Sequence, residues 1–172
     1  MKRFGILNPV TLAVGGLLLG GISRLLDIYT QNLGNIFSQM AVWILLGTLI
    51  SRYSRTAWQA MANILTFCLG MLLSYYAAAV LTSGVYSKVM IVGWTAFALC
   101  SPILAVFAWM SARPGIFPKL ISVGIVAVSV ASSFLLFDGF RFYDWILNGL
   151  LVYFLFFHKR KYSYCSNSKP KE

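Results

Sequence analysis

The residues of this chain that could do chemistry are few, and their spacing favours binding over catalysis. Arg24 and Asp27 are three positions apart, so they share one face of a helix. Asp144 and Asn148, four positions apart, also share a face. Ionisable groups in a membrane are costly and are candidate functional residues, although Arg24 and Asp27 could simply pair with each other at the membrane boundary. We therefore expect an outward-facing polar pocket, with the candidate residues Arg24, Asp27, Tyr75, Tyr76, Asp138, Arg141, Asp144 and Asn148.

Catalytic chemistry lacks the residues that it requires. His158 is the only histidine and follows the last apolar run, which excludes an H-E-x-x-H metalloprotease and an intramembrane Ser–His hydrolase. There is no glutamate within an apolar run and no P-loop. The cysteines are too scattered for a metal site or a disulfide framework, at Cys68, Cys100 and Cys165. We expect that the chain is not an enzyme and holds neither a metal ion nor a cofactor.

The elements that must position these residues are long apolar runs. Of the 172 residues, 59% are hydrophobic and only 10% are charged, whereas soluble domains are about 25% charged. A bilayer core requires about 20 apolar residues per helix, and continuous runs of this length exclude a β-barrel. The sequence predicts an all-α integral membrane protein with about six transmembrane helices, at roughly Ile6–Ile28, Asn35–Ser51, Trp58–Leu81, Lys88–Ser111, Pro118–Phe137 and Phe142–His158. Residues 1–158 would form the membrane domain, and residues 159–172 a basic cytoplasmic tail.

The basic residues lie between and after the apolar runs, which predicts a multi-pass protein of the cell membrane with both termini in the cytoplasm. In this orientation eleven basic residues face the cytoplasm: Lys2, Arg3, Arg52, Arg55, Arg113, Lys119, Lys159, Arg160, Lys161, Lys169 and Lys171. Only Arg24, Lys88 and Arg141 fall outside. The net charge of +10 is therefore attributed to topology and not to nucleic-acid binding. Asp27, Asp138 and Asp144 would lie at the outer ends of their helices.

Small residues predict close helix packing in the first run, at Gly15, Gly16, Gly20 and Gly21. Packing within the chain and formation of a homodimer are both compatible with this motif. Deeper in the membrane, we expect Asn63 and Asn148 to make hydrogen bonds between helices. Pro102 would kink the fourth helix, either beside a cavity or around a neighbouring helix.

The chain resembles an uncharacterised bacterial membrane-protein family, the group numbered 6518 among the domains of unknown function. The residues that carry this resemblance are Gly15–Gly21, Ile22–Asp27, Trp43–Gly47, Met71–Tyr76, Gly93-Trp94 and Ser101-Pro102. The resemblance covers most of the chain up to the sixth run. It implies a bacterial cytoplasmic membrane protein and brings no activity with it.

Two functions therefore stay open. The first is a solute-binding or transport subunit with an outward-facing polar pocket, which would act with a membrane partner or as a homodimer because the chain lacks a motor. The second is a non-catalytic structural or regulatory membrane protein that acts through such a partner. In both cases the lipid bilayer is the immediate surrounding, and Lys159, Arg160 and Lys161 would bind anionic lipid.

Overall fold

A computed structural model of the chain describes residues 7–30, 40–82, 88–137 and 142–158. Within these ranges the regular structure is entirely helical, and each of the six predicted runs overlaps one α-helix, which confirms the all-α class. The helices are α1 (Pro9–Tyr29), α2 (Met40–Tyr53), α3 (Ala57–Leu81), α4 (Lys88–Met110), α5 (Ile116–Phe137) and α6 (Phe142–Val152). One π-helical turn, Tyr153–Phe157, continues α6. The predicted basic tail lies outside the described residues.

Four of the helices are long and apolar enough to cross a membrane. These segments are Pro9–Tyr29, Ala57–Leu81, Ile91–Met110 and Ile116–Phe134. Two further apolar helices, Met40–Tyr53 and Phe142–Phe157, are shorter. The length and the apolar composition of these helices are therefore those of a membrane protein.

The distribution of side chains is that of a protein surrounded by lipid. Large apolar residues point outward: Ile116 is 87% exposed, Leu81 85% and Leu73 68%. Fully buried positions in the described residues include polar side chains, among them Ser51, Ser54, Asn63, Ser129, Ser133 and Asp144. Water would solvate exposed leucine and isoleucine poorly, whereas hydrocarbon accepts them at no cost.

Local capping explains where two helices begin. The predicted first run began at Ile6, but α1 begins at Pro9 because the Asn8 side chain caps the helix and proline suits its first position. At the start of α3, Oγ1 of Thr56 accepts a hydrogen bond of 3.1 Å from the backbone N–H of Gln59. The second predicted run ended at Ser51, whereas α2 continues to Tyr53, so the link to α3 is shorter than predicted.

Helices α1 and α3 pack at very close range through glycine. A Cβ atom at Gly16 would collide with the carbonyl oxygen of Phe67, and one at Gly20 would collide with that of Met71. From the other side, a Cβ atom at Gly70 would lie 2.7 Å from the carbonyl oxygen of Ala13. Small residues permit this approach of two backbones, which maximises dispersion contacts where lipid provides no hydrophobic driving force.

Helix α2 packs against α3, α4, α5 and α6 and so lies at the centre of the bundle. Leu45 of α2 forms a buried cluster with Leu151 and Leu155 at the end of α6. A second cluster joins Ala60 and Ile64 of α3 to Ala105 of α4. Ile64 and Ala105 of the second cluster also line the cavity that is described next.

Candidate functional site

A cavity of about 420 Å³ lies among α2, α3, α4 and α5. Its wall is mainly apolar and rich in aromatic rings, those of Trp43, Phe67, Trp94, Phe97 and Phe107. A few small polar side chains also line it: Thr48, Ser51, Cys68, Ser101 and Ser132. Cavities of about 300–1,000 Å³ with apolar walls and few polar groups are typical of small-molecule sites.

The cavity exists because small residues occupy positions where these helices face each other. Gly47 of α2, Ala98 and Ala105 of α4, and Gly124 of α5 all line it. A Cβ atom placed on Gly124 would have no heavy atom within 4 Å, so that part of α5 borders open space. Pro102 lies in α4 next to the cavity-lining Ser101, and the hydroxyl of Ser101 donates a hydrogen bond of 2.7 Å to the carbonyl of Ala98.

Among the polar side chains of this wall, Ser51 differs from the others in having a hydroxyl that is both buried and unpaired. It is 0% exposed, and among the described residues its hydroxyl oxygen has no hydrogen-bond partner. Leaving a buried hydroxyl unpaired costs about 1–3 kcal/mol. The hydroxyl is covered even in the empty cavity, so a ligand with a hydrogen-bonding group would remove this cost only when the Ser51 side chain turns toward it. Ser51 was expected only as the end of a helix, and no feature of the sequence distinguishes it from the neighbouring serines.

Three of the predicted pocket residues meet where α1 packs against α3. The Tyr75 hydroxyl donates a hydrogen bond of 2.8 Å to Oδ2 of Asp27. The Arg24 guanidinium carbon lies 5.8 Å from the centre of the Tyr75 ring. Asp27 is thus bound across the helix interface by a tyrosine, whereas the simplest expectation was pairing with Arg24. Tyr76 makes an edge-on ring contact with Tyr75 at 5.5 Å and lines a separate apolar groove that includes Thr95 of α4.

Two other predicted residues lie on α6. Asp144 is 0% exposed, and its Oδ1 lies 3.3 Å from the hydroxyl oxygen of Ser133 on α5. The side-chain amide of Asn148 donates a hydrogen bond of 2.9 Å to the backbone carbonyl of Asp144. This bond lies within one helix, whereas a bond between helices was expected. Likewise, Asn63 donates to Ser54 in the link that precedes its own helix, at 3.0 Å.

The structure therefore distributes the described pocket residues over two places, with Tyr76 beside Tyr75 at the first of them. Arg24, Asp27 and Tyr75 lie between α1 and α3, and Asp144 and Asn148 lie between α5 and α6. Neither group lines the central cavity. Asp138 and Arg141 lie outside the described residues. A single polar pocket open to the outside stays a prediction.

A third set of polar contacts joins the link between α2 and α3 to the ends of α4 and α6. The Trp109 indole N–H, at the end of α4, donates a hydrogen bond of 3.2 Å to the carbonyl of Ser54. The Arg113 guanidinium lies over the Trp109 ring at 4.2 Å. Arg52 is only 4% exposed and donates a hydrogen bond of 3.0 Å to the carbonyl of His158. The sequence analysis placed Arg52 after the second apolar run, facing the cytoplasm, and did not predict that its side chain is buried.

One further contact completes this end of the bundle. The Gln59 side chain, in the first turn of α3, donates a hydrogen bond to the carbonyl of Leu7, which precedes α1. The start of α1, the α2–α3 link, the end of α4 and the end of α6 therefore lie together. We call this the basic end, because it carries Arg52, Arg55 and Arg113.

In the described part of the chain, no three His, Cys, Asp or Glu side chains come together as they would around a transition-metal ion. The chain matches no family model, no curated protein and no solved structure. The resemblance to the bacterial group 6518 stays a prediction.

Proposed function

We propose that this chain is a multi-pass membrane protein that binds an apolar or amphiphilic solute inside its helix bundle, as a solute-binding or transport subunit. The proposal has two parts, a topology and a ligand class, and each draws on different observations.

The topology is six crossings of the cell membrane with both termini in the cytoplasm. It is supported by the basic end, where the start of α1 and the end of α6 lie beside the α2–α3 link. An even number of crossings brings the two termini to the same side. The positive-inside rule then puts Arg52, Arg55 and Arg113 in the cytoplasm. The two shorter helices, α2 and α6, would cross the membrane while packed against other helices. Helix α2 packs against four of them, and α6 packs against α2 and α5.

The ligand class follows from the wall of the cavity. Aromatic and aliphatic side chains favour an apolar body of small-molecule size, and no charged side chain is among the lining residues that the structure describes. The single observation that carries the proposal is the cavity itself, about 420 Å³ in volume with an apolar wall that is rich in aromatic rings and holds a few small polar side chains. It suits a molecule with an apolar body and few hydrogen-bonding groups. The proposed binding site is therefore this apolar cavity, in place of the polar pocket expected from the sequence.

A fluorescent fatty acid tests this proposal directly, because Trp43 and Trp94 line the cavity. The protein is reconstituted into lipid nanodiscs and titrated with a dansyl-labelled fatty acid, and energy transfer from tryptophan to dansyl is measured. Saturable transfer that unlabelled fatty acid reverses is the expected result. Transfer that rises linearly with probe, as for simple partition into lipid, would favour a structural or regulatory protein instead.

A further inference from the structure

The central cavity has an opening on one side of the bundle, at α4 and α5. Of the described residues that line it, those on α2 and α3 are buried or half-buried, whereas four on α4 and α5 are exposed. On α4 these are Leu104, 49% exposed, and Phe107, 44% exposed. On α5 they are Gly124 and Val128, the latter 62% exposed. A residue that both lines a cavity and is exposed lies at the edge of an opening.

The exposed lining residues lie on the edges of α4 and α5 that face each other. Leu104 and Phe107 are three positions apart, and Gly124 and Val128 are four apart, so each pair shares one face of its helix. The α6 side of α5 is a different face, because Ser133 contacts α6 there. A Cβ atom on Gly124 would meet no heavy atom within 4 Å, so α4 does not fill the space beside it. The opening is therefore a gap between α4 and α5.

The gap lies in the half of the bundle nearer the basic end. Helix α4 ends at Met110 and α5 begins at Ile116, both at that end. With a rise of 1.5 Å per residue, Phe107 lies about 5 Å and Val128 about 18 Å from these termini, and the whole of α5 is about 33 Å long. A gap at this depth faces the hydrocarbon of one leaflet, which is the cytoplasmic leaflet in the proposed topology.

The charge beside the gap suits a phosphate headgroup. The link of residues 111–115 crosses the basic end of the gap and carries Arg113, whose side chain is exposed and lies over the Trp109 ring. The two aspartates in the described part of the chain, Asp27 and Asp144, lie at the opposite end of the bundle. Basic side chains at the membrane surface attract anionic lipid.

These observations identify the ligand by what surrounds the gap. Acyl chains of phospholipids fill the membrane at this depth, and the cavity behind the gap offers them an apolar, aromatic wall. We propose that one acyl chain of a membrane phospholipid enters the cavity between α4 and α5, with its headgroup at the basic end. The inference rests on the proposed solute cavity and names the class of molecule that fills it.

Phospholipid brominated in the middle of its acyl chains tests this entry, because bromine quenches tryptophan fluorescence only at short range. Trp43 lines the cavity about 15 Å from the end of α2, close to the level of Val128. A protein that keeps Trp43 and has phenylalanine at the other four tryptophans is reconstituted in nanodiscs of ordinary or brominated phospholipid. If this protein does not fold, the difference in quenching between the native protein and Trp43→Phe gives the same signal.

Two further substitutions separate a chain in the cavity from lipid around the protein. We expect strong quenching of Trp43, which Gly124→Leu should largely remove because its side chain occupies the gap. Val123→Leu is the matched control and should retain the quenching, since Val123 is 54% exposed and is not among the lining residues. Equal quenching in both variants would overturn the proposal, because lipid outside the bundle would then be its source.

The dansyl-labelled fatty acid separates this inference from the proposed function. If brominated phospholipid leaves Trp43 unquenched while the fatty acid still binds saturably, the entry of phospholipid is overturned and the solute cavity stands. If Trp43 is unquenched and the fatty acid does not bind saturably, both are overturned.

Discussion

Tyr75 on α3 donates a hydrogen bond of 2.8 Å to a carboxylate oxygen of Asp27 on α1. The two helices are already in close contact at Gly16, Gly20 and Gly70, about one to three turns nearer the basic end. The hydrogen bond therefore joins α1 and α3 at the end of their interface that is opposite to the close glycine contacts. It gives α1, which packs mainly on α3, a second and polar point of attachment.

Replacing this tyrosine should weaken the interface by a small amount. Tyr75→Phe removes the hydroxyl and leaves Asp27 without its donor, so the free energy of unfolding should fall by about 1 kcal/mol, as for other interhelical hydrogen bonds in membranes. Unfolding in mixed micelles with increasing SDS measures this. Tyr76→Phe, the neighbouring control, should have little effect, because Tyr76 lines an apolar groove. Equal losses in both variants would argue against a specific Tyr75–Asp27 bond.

Adjacent glycines of α1 should respond in opposite ways to alanine. At Gly20 a methyl group collides with the Met71 carbonyl, whereas at Gly21 it meets no heavy atom within 4 Å. Gly20→Ala should therefore cost about 1–3 kcal/mol of stability through overpacking. Gly21→Ala should be neutral or add up to about 1 kcal/mol through its helix propensity. The same SDS titration checks both, and a destabilised Gly21→Ala would place a second helix on that side of α1.

The proposed topology predicts which ends of the helices face the cytoplasm. In a variant without its three native cysteines, single cysteines replace Arg113 at the basic end and Thr82 at the opposite end of α3. A membrane-impermeant maleimide added to intact cells should label Thr82→Cys and should label Arg113→Cys only after permeabilisation. The reverse pattern would invert the orientation, and labelling of both from one side would contradict the number of crossings.

The hydroxyl of Ser51 should matter for the ligand and not for the fold. Ser51→Ala removes an unpaired buried polar group, so the empty protein should be equally stable or more stable. A ligand with one hydrogen-bonding group should bind about two- to tenfold more weakly, the effect of one neutral hydrogen bond. Ser101→Ala is the control, since that hydroxyl is satisfied by Ala98 within α4. Unchanged affinity of the fatty acid in Ser51→Ala would remove Ser51 from the site.

Much of the helical framework could be predicted from sequence because bilayer thickness sets the length of each apolar run. The boundaries that differ from the rough prediction depend on single side chains, such as the Asn8 cap that makes α1 begin at Pro9. The spacing of Arg24 and Asp27 correctly places both on the face of α1 near Tyr75. The identity of the donor to Asp27 depends on how α1 and α3 align, and sequence spacing does not determine that alignment.

The cavity could not be predicted from the sequence for a related reason, and neither could the cluster of Ser129, Ser133, Asp144 and Asn148 on α5 and α6. A cavity forms where small residues from several helices face each other, and Gly47 and Gly124 are 77 positions apart. The four-residue spacing of Ser129 and Ser133 is visible in the sequence, as is that of Asp144 and Asn148. Only the contact between Ser133 and Asp144 shows that the two pairs face each other.

The most direct test of the central claim is to fill the cavity with a larger side chain of the protein itself. A leucine at Gly124 would extend from the lining of α5 into open space, whereas a leucine at Gly93 lies on an exposed part of α4 away from the cavity. Both variants should fold, since neither Cβ atom meets a heavy atom within 4 Å. Affinity for the dansyl-labelled fatty acid is measured in nanodiscs for both. The account predicts that Gly124→Leu abolishes saturable binding and Gly93→Leu retains it, and equal binding by the two variants would contradict it.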